Sequence, residues 1–394
     1  MSLSLLASIV AAAVTVGSPL PPWQEGYLDI HAINSGRGEC TFFILPDGTT
    51  MLVDAGESYK RTPTKYPYVP ARPDEQTPAH EVYANYIHHF MPRNSRGALD
   101  YVLITHYHSD HFGTEAEAYG TDPDGGYPLT GISALYNKVP ARKLIDRSYP
   151  EYESVWLPSS SKATFYQEFV RYAVARKGLK AESFRVGDKN QFRLRHRPCK
   201  YRNFSIFNYA ASGFVWDGSQ VVDAYSSPDK RRENGMSCCL LLSYGKFDYY
   251  TGGDAGGNTP VALPVARSIG RPIEAMKADH HCSYHCMKSE TMSIYRPQVV
   301  VTQVFTVRDI QPDYTVVERM LSDEDYPGPK HLYFTNLGEE QRNLHKDIYE
   351  RTAGMNGHVV IRVMPGGSEF YVYLLDDSDF EYRVIQVDGP FKCE

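Results

Sequence analysis

Three short segments of this sequence concentrate side chains that bind metals. His106-Tyr-His-Ser-Asp-His111 puts three imidazoles and a carboxylate on one stretch of six residues, and such nitrogens and oxygens bind borderline-soft divalent ions at about 2.0–2.2 Å. Alternate residues of an extended loop point the same way. His106 and His108 can therefore share one ion, while Asp110 and His111, after the chain turns, can face a second. Tyr249-Tyr-Thr-Gly-Gly-Asp254 repeats a simpler design of strand, glycine turn and carboxylate. A carboxylate has two oxygens and can bridge two ions, which a histidine does not easily do. Met276-Lys-Ala-Asp-His-His-Cys-Ser-Tyr-His285 is the third segment. One of His280 and His281 is a ligand, and the other lines the cleft as an acid/base or hydrogen-bond donor. Asp54, closing Met51-Leu-Val-Asp-Ala-Gly56, either orients a ligand histidine through its second ring nitrogen or caps the turn before Gly56. The isolated His31, His345 and His358 read as structural.

These residues sit where strands end. Leu28–Ile33, Cys40–Leu45 and Thr50–Asp54, joined through the Pro46-Asp47-Gly48 turn, have the spacing of a sheet meander. Asp100–Thr105 is a continuous apolar strand that runs into His106, so the first motif lies on the loop after a buried strand, where catalytic groups collect. Val82, Tyr86, Ile87 and Phe90 recur at helical spacing and predict a helix over 79–91. A second helix is expected over 162–177. Sheet patterning returns at 237–243, 248–251, 298–302, 357–364 and 369–375. Residues 57–98 and 115–235 read as inserted regions, the latter shaping the mouth of the site.

With 394 residues, 42% hydrophobic and 22% charged, the chain is long enough to bury a full core. Lys+Arg number 41 against 47 Asp+Glu, a formal charge of -6, so the chain as a whole has no basic footprint for duplex nucleic acid. Arg193, Arg195, His196, Arg197, Lys200 and Arg202 form a local cluster that is either a solvated hairpin edge or a phosphate contact, with Arg195 and Arg197 the candidate substrate-binding residues. Residues 3–16 form an apolar run, shorter than the ~20 residues of a membrane helix, that reads as the core of a signal peptide over 1–18. A single domain over 24–394 follows. The expected location is secreted or periplasmic, otherwise cytoplasmic; no membrane-spanning segment is expected. Seven cysteines are an odd number, so one thiol stays unpaired if the rest pair. Cys238 and Cys239, adjacent in a strand, point to opposite faces; Cys282 and Cys286 flank the third motif.

Taken together, Leu28–Gly56, Leu103–Gly113, Asn234–Asp254 and Lys277–His285 resemble the metallo-β-lactamase fold family, most of all its branch containing the C-terminal domain of the DNA-uptake protein ComEC and the phosphorylcholine esterases. The resemblance implies an α+β, four-layer αβ/βα sandwich: two mixed β-sheets face to face with helices outside. It also implies a ligand set of His106, His108, Asp110, His111, Asp254 and His280, with Asp54 behind it and with Asp110 and His281 as catalytic groups, His281 protonating the leaving group. Two departures stand out. Cys282 replaces the usual glycine after the paired histidines, and the family's extra histidine has no clear match, with Asn208 and His196 poor substitutes.

The chemistry so implied is hydrolysis, because a metal-bound water has its pKa lowered toward ~7. Zinc, one or two ions per chain, suits this ligand set, with manganese or iron as alternatives. The expected substrate is a small molecule or polymer end, a phosphodiester or related phosphoester in first place and an ester, lactone or lactam in second. A reading of another class is a non-catalytic binding protein with an incomplete metal site.

Overall fold

The computed structural model describes residues 14–58, 69–115, 118–152, 164–305 and 311–394. Most of the expected leader, residues 1–13, lies outside them. In chain order the strands are β1 (Leu28–Ala32), β2 (Thr41–Ile44), β3 (Thr50–Val53), β4 (Tyr101–Ile104), β5 (Lys143–Asp146), β6 (Lys180–Ser183), β7 (Phe204–Ala211), β8 (Phe214–Trp216) and β9 (Val221–Asp223). They continue as β10 (Cys239–Tyr244), β11 (Phe247–Thr251), β12 (Ala275–Lys277), β13 (Val299–Thr302), β14 (His331–Phe334), β15 (Gly354–Met355), β16 (His358–Val363), β17 (Glu369–Leu375) and β18 (Val384–Lys392).

Two nine-stranded sheets result. The first runs β18-β17-β16-β1-β2-β3-β4-β5-β6 and the second β15-β14-β13-β12-β11-β10-β7-β8-β9. Both are mixed: β3 to β6 are parallel, as are β11 to β15, and the rest pair antiparallel.

The central strands β1 to β4 and β11 to β13 are buried along their whole length because both faces of each sheet are covered there. Phe43, Met51, Val53 and Leu103 of the first sheet pack against Leu240, Leu242, Tyr249 and Val301 of the second. The alternate residues face outward. Phe42, Leu52 and Val102 meet Tyr83, Tyr86 and Ile87 of helix α1 (Ala79–Phe90), whereas Leu241, Met276 and Val300 lie under Val265 and Ala266 of the helix Ala262–Ile269. Helices therefore flank the paired sheets, giving the α+β sandwich that the family resemblance implied. Cys238 and Cys239 fall into the inner and outer clusters respectively, and no disulfide joins any of the seven cysteines.

The region 115–235 is more than a rim around the site. It contributes β5 and β6 to the first sheet and β7, β8 and β9 to the second. Within it, the expected helix spans Thr164–Arg176. Among the described residues no helix is long and apolar enough to cross a membrane.

Candidate metal centre

Parallel neighbours deliver their following loops to the same end of a sheet. Asp54 after β3 and His106 after β4 are therefore side by side, as are Asp254 after β11 and the 279–282 turn after β12. Cys238 N donates to Thr105 O at 3.0 Å, tying the two ends together. Gly56 is required by close approach: a Cβ there would lie 1.8 Å from the Asp110 carbonyl oxygen. That contact seats the Asp54 turn against the helical turn Ser109–Phe112.

Three histidines are oriented by the same device. His111 Nδ1 lies 2.7 Å from Asp54 Oδ2, His106 Nδ1 lies 3.2 Å from Thr105 Oγ1, and His281 Nδ1 lies 3.1 Å from the Gln303 carbonyl oxygen. Asp54 also accepts from the Thr105 amide and hydroxyl, both at 2.8 Å. With each Nδ1 engaged, each Nε2 is left facing inward, the arrangement by which outlying partners fix a ligand's tautomer. All three converge on Asp254: its Oδ2 is 3.6 Å from His106 Nε2 and 3.3 Å from His111 Nε2, and its Oδ1 is 3.4 Å from His281 Nε2. His108 Nδ1 stands 3.1 Å from His106 Nε2. On the other side, Asp110 Oδ2 is 3.5 Å from His281 Nε2 and 3.7 Å from His111 Nε2.

The donor set fits divalent cations. Among the described residues, both Asp254 oxygens and the Nε2 atoms of His111 and His281 are buried without a hydrogen-bond partner, a costly condition unless a cation satisfies them. Two groupings that share Asp254 have ligand atoms within 4.8 Å of one another: His106, His108 and Asp254; and Glu39, His111, Asp254 and His281.

The electrostatics agree. Burial alone would push His111 down, yet Asp254, Asp54 and Asp110 hold it well above its ordinary value. Against the same burial, Asp254 and Asp110 lift His281 to about 9. Burial opposes ionisation of Asp110, but His111 and His281 keep it below the usual carboxylate range. His106, by contrast, is pulled well below its ordinary value by burial. Clustered carboxylates thus favour positive charge at His111 and His281, charge that a divalent ion supplies when it displaces protons.

The remaining expected residues differ in placement. His280 also approaches Asp254, its Nε2 3.7 Å from Oδ2, but its Nδ1 meets His285 Nε2 at 2.9 Å, and burial lowers it to about 4. Arg195 and Arg197 are not brought to the centre. Their amides bind Thr49 Oγ1 and Asp47 Oδ2 at the turn before β3, the opposite end of that strand from Asp54, and the Arg197 side chain pairs with Glu25. Their segment, 191–202, is turns rather than a hairpin. Asn208 donates to Arg185 O and Gln191 Oε1, and His196 sits 3.8 Å from Asp100.

Two buried residues beside the centre went unread. Lys277 Nζ stands 3.0 Å from Glu39 Oε2 and 3.8 Å from Asp254 Oδ1 and donates to Gly253 O at 2.7 Å. Nothing in the Gly-Arg-Gly-Glu-Cys stretch marks Glu39, whereas a lysine among the ligands of the third motif was a usable signal. Outside the centre, a cavity of about 560 Å³ begins at His108 and is lined by Tyr225, Lys230, Arg232, Asn234 and Thr259 among others.

No protein-family model matches the chain, and no curated protein matches it in sequence. Among solved structures, the chain is similar to CmlA, a diiron β-hydroxylase from Streptomyces venezuelae, at 12% identity and a TM-score of 0.41, covering 87% of this chain and 55% of that one. A mutant of CmlA gives 11% and 0.42 with the same coverage. A Parabacteroides distasonis protein described as a presumptive metal-dependent hydrolase gives 12% and 0.35, covering 77% of this chain and 92% of that one. The chain thus spans about half the length of CmlA.

Proposed function

We propose that this protein is a metal-dependent hydrolase of anionic esters, phosphodiesters foremost, and the observation that carries the proposal is the bare, inward-facing donor set around Asp254. One cation position is formed by His106, His108 and Asp254, and another by His111, His281 and Asp254 with Asp110, whose Oδ2 faces both imidazoles, as the further carboxylate, since Glu39 is paired with Lys277. The roles of the paired histidines are then exchanged relative to the sequence expectation: His281 binds metal and His280 does not belong to either position. Zinc suits this set best, with manganese or iron as alternatives. Divalent cations held here supply Lewis acidity and a nucleophile at neutral pH by acidifying water.

The chain's own residues do the rest. Asp54, Thr105 and Gln303 hold the imidazoles in one tautomer, and Lys277 offsets part of the surplus carboxylate charge. The cavity at His108 receives the substrate. Its cations are Lys230 and Arg232, and among the described residues neither has a carboxylate partner; Lys230 Nζ reaches Ser226 Oγ and Arg232 binds the carbonyls of Asp229 and Arg231. The acid on the same wall, Glu233, is committed to Arg147 through two contacts of 2.8 Å. An anionic group is favoured there, which assigns to Lys230 and Arg232 the part that the sequence suggested for Arg195 and Arg197.

The test loads chelator-stripped protein with zinc or manganese and offers bis(para-nitrophenyl) phosphate beside neutral ester, lactone and lactam chromogens. Metal-dependent diester turnover is expected, with KM raised several-fold in Lys230→Ala and Arg232→Ala. Preference for a neutral ester would overturn the substrate class. No turnover of any substrate at full metal loading would favour the binding-protein reading.

A further inference from the structure

The turn after β12 gathers another set of donors that the proposed hydrolase leaves unused. His280 Nδ1 and His285 Nε2 face each other at 2.9 Å, and with Cys286 they present ligand atoms all within 4.8 Å of one another. We propose that His280, His285 and Cys286 form a separate cation position, suited to a thiophilic ion such as zinc, that pins the turn carrying His281.

Each ring has its other nitrogen engaged, as ligating histidines do. His285 Nδ1 is 3.3 Å from Ser283 Oγ. His280 Nε2 is 3.3 Å from the Asn234 amide nitrogen, and the buried Asn234 Oδ1 has no hydrogen-bond partner; with that amide turned over, its oxygen accepts from an Nε2–H. His280 Nδ1 and His285 Nε2 are then left as the lone-pair atoms, on the side where Cys286 lies. Zinc–nitrogen and zinc–sulfur bonds of about 2.0–2.3 Å place ligand atoms roughly 3.3–3.8 Å apart in a tetrahedron, within reach of this cluster by small side-chain rotations. A water completes four ligands, and zinc binding sends the Cys286 proton to solvent.

The surroundings are shaped for the thiol. A Cβ on Gly256 would lie 2.2 Å from Cys286 Sγ, so only glycine lets the sulfur occupy this spot. The backbone is unusual as well. His280, His281 and Cys282 have φ of 44°, 52° and 60°, three successive residues with side chains in the left-handed region, a conformation that persists only where surrounding contacts enforce it. This run turns His281 into the catalytic centre and leaves His280 facing His285. A cation across His280, His285 and Cys286 would hold that run from its outer side.

Cobalt chloride titration of the full chain reads the site directly, because only a thiolate ligand gives an intense near-ultraviolet sulfur-to-cobalt charge-transfer band. The band is expected in the wild type, in Cys199→Ser, whose thiol is exposed, and in His106→Ala, which alters only the catalytic positions. Cys286→Ser should lack it and hold one zinc equivalent fewer. His285 is only half-buried, so His285→Ala tests the same site should Cys286→Ser fail to fold, and its band should be weakened or shifted. Absence of the band in the saturated wild type, its survival in Cys286→Ser, or an unchanged band in His285→Ala would overturn the proposal.

Discussion

Removing the buried Lys277 cation should expose the charge imbalance of the centre. Its ammonium is 2% exposed, 3.0 Å from a Glu39 carboxylate that is 0% exposed. Burial would push Lys277 down, but Glu39 and Asp254 hold it above its ordinary value, so it carries its charge at neutral pH. At an effective dielectric of about 20, two unit charges at that separation attract by about 5–6 kcal/mol, a gross figure from which desolvation is subtracted. Lys277→Met keeps the apolar stem and strands Glu39, and breaking a buried pair from one side costs about 3–5 kcal/mol. Glu39→Gln with Lys277→Met removes both charges and should recover more than half of that loss. The assay is urea unfolding at neutral pH, with chelator and with zinc. Since the single variant raises the negative charge beside Asp254, it should bind zinc more tightly than the wild type, and zinc should narrow the stability gap by linkage. A loss below about 1 kcal/mol in chelator, or a double variant no more stable than the single one, would refute this account of the pair.

The proposed exchange of the paired histidines predicts that His281→Ala raises the zinc concentration needed for activity by at least about 100-fold, whereas His280→Ala leaves that midpoint within several-fold; activity measured against free zinc separates them. Asp254→Asn keeps the shape of the side chain and removes the charge shared by both positions, so turnover should fall by at least about 100-fold while unfolding in chelator shifts by less than about 1 kcal/mol. Burial, with a smaller contribution from Asp248, raises Glu274 from 4.5 to about 7. Because its folded value is the higher one, the stability it contributes is complete below about pH 4.5 and lost as pH rises toward 7; subtracting the Glu274→Gln unfolding profile from that of the wild type should show this decline, and a flat difference would contradict it.

The inner framework was legible because its signals are local. The runs at 28–33, 40–45, 50–54 and 100–105 became β1 to β4 within a residue or two, and the helix expected over 79–91 spans Ala79–Phe90. The histidine loop likewise announced itself by composition. What escaped depends on tertiary pairing. β5 and β6 are four-residue strands whose place is set by β4, and nothing within 143–146 or 180–183 separates them from an insertion. The basic run around Arg195 is open in sequence to either a solvated edge or a phosphate contact because charge density is visible there and strand polarity is not; its neighbours Asp47 and Thr49 lie at the far end of β3. Lys230 and Arg232 are inconspicuous in sequence for the converse reason, being two cations in a loop that only the fold brings beside His108. Which of His280 and His281 points inward turns on their left-handed backbone, and side-chain spacing carries no trace of it.

That backbone also explains how a sandwich of two sheets comes to hold a centre at its edge. The first sheet supplies His106, His108, Asp110 and His111 from the loop after β4, and the second supplies Asp254 and His281 from the loops after β11 and β12. Each proposed cation position therefore takes ligands from both sheets. Between them the apolar layer of Phe43, Val53, Leu103, Leu240 and Tyr249 fixes the spacing, but hydrophobic packing is non-directional and does not by itself set the sub-ångström placement that a metal demands. Directional bonds do that: Cys238 N to Thr105 O between the sheets, Asp54 to both Thr105 and His111 within one, and Lys277 to Glu39, whose own amide donates to Asp110 O at 2.8 Å. Glu39 and Lys277 come from opposite sheets, so their ion pair spans the same seam as the proposed metals. The pair and the cations neutralise a common pool of carboxylates, which is why a change in one is expected to alter the binding of the other.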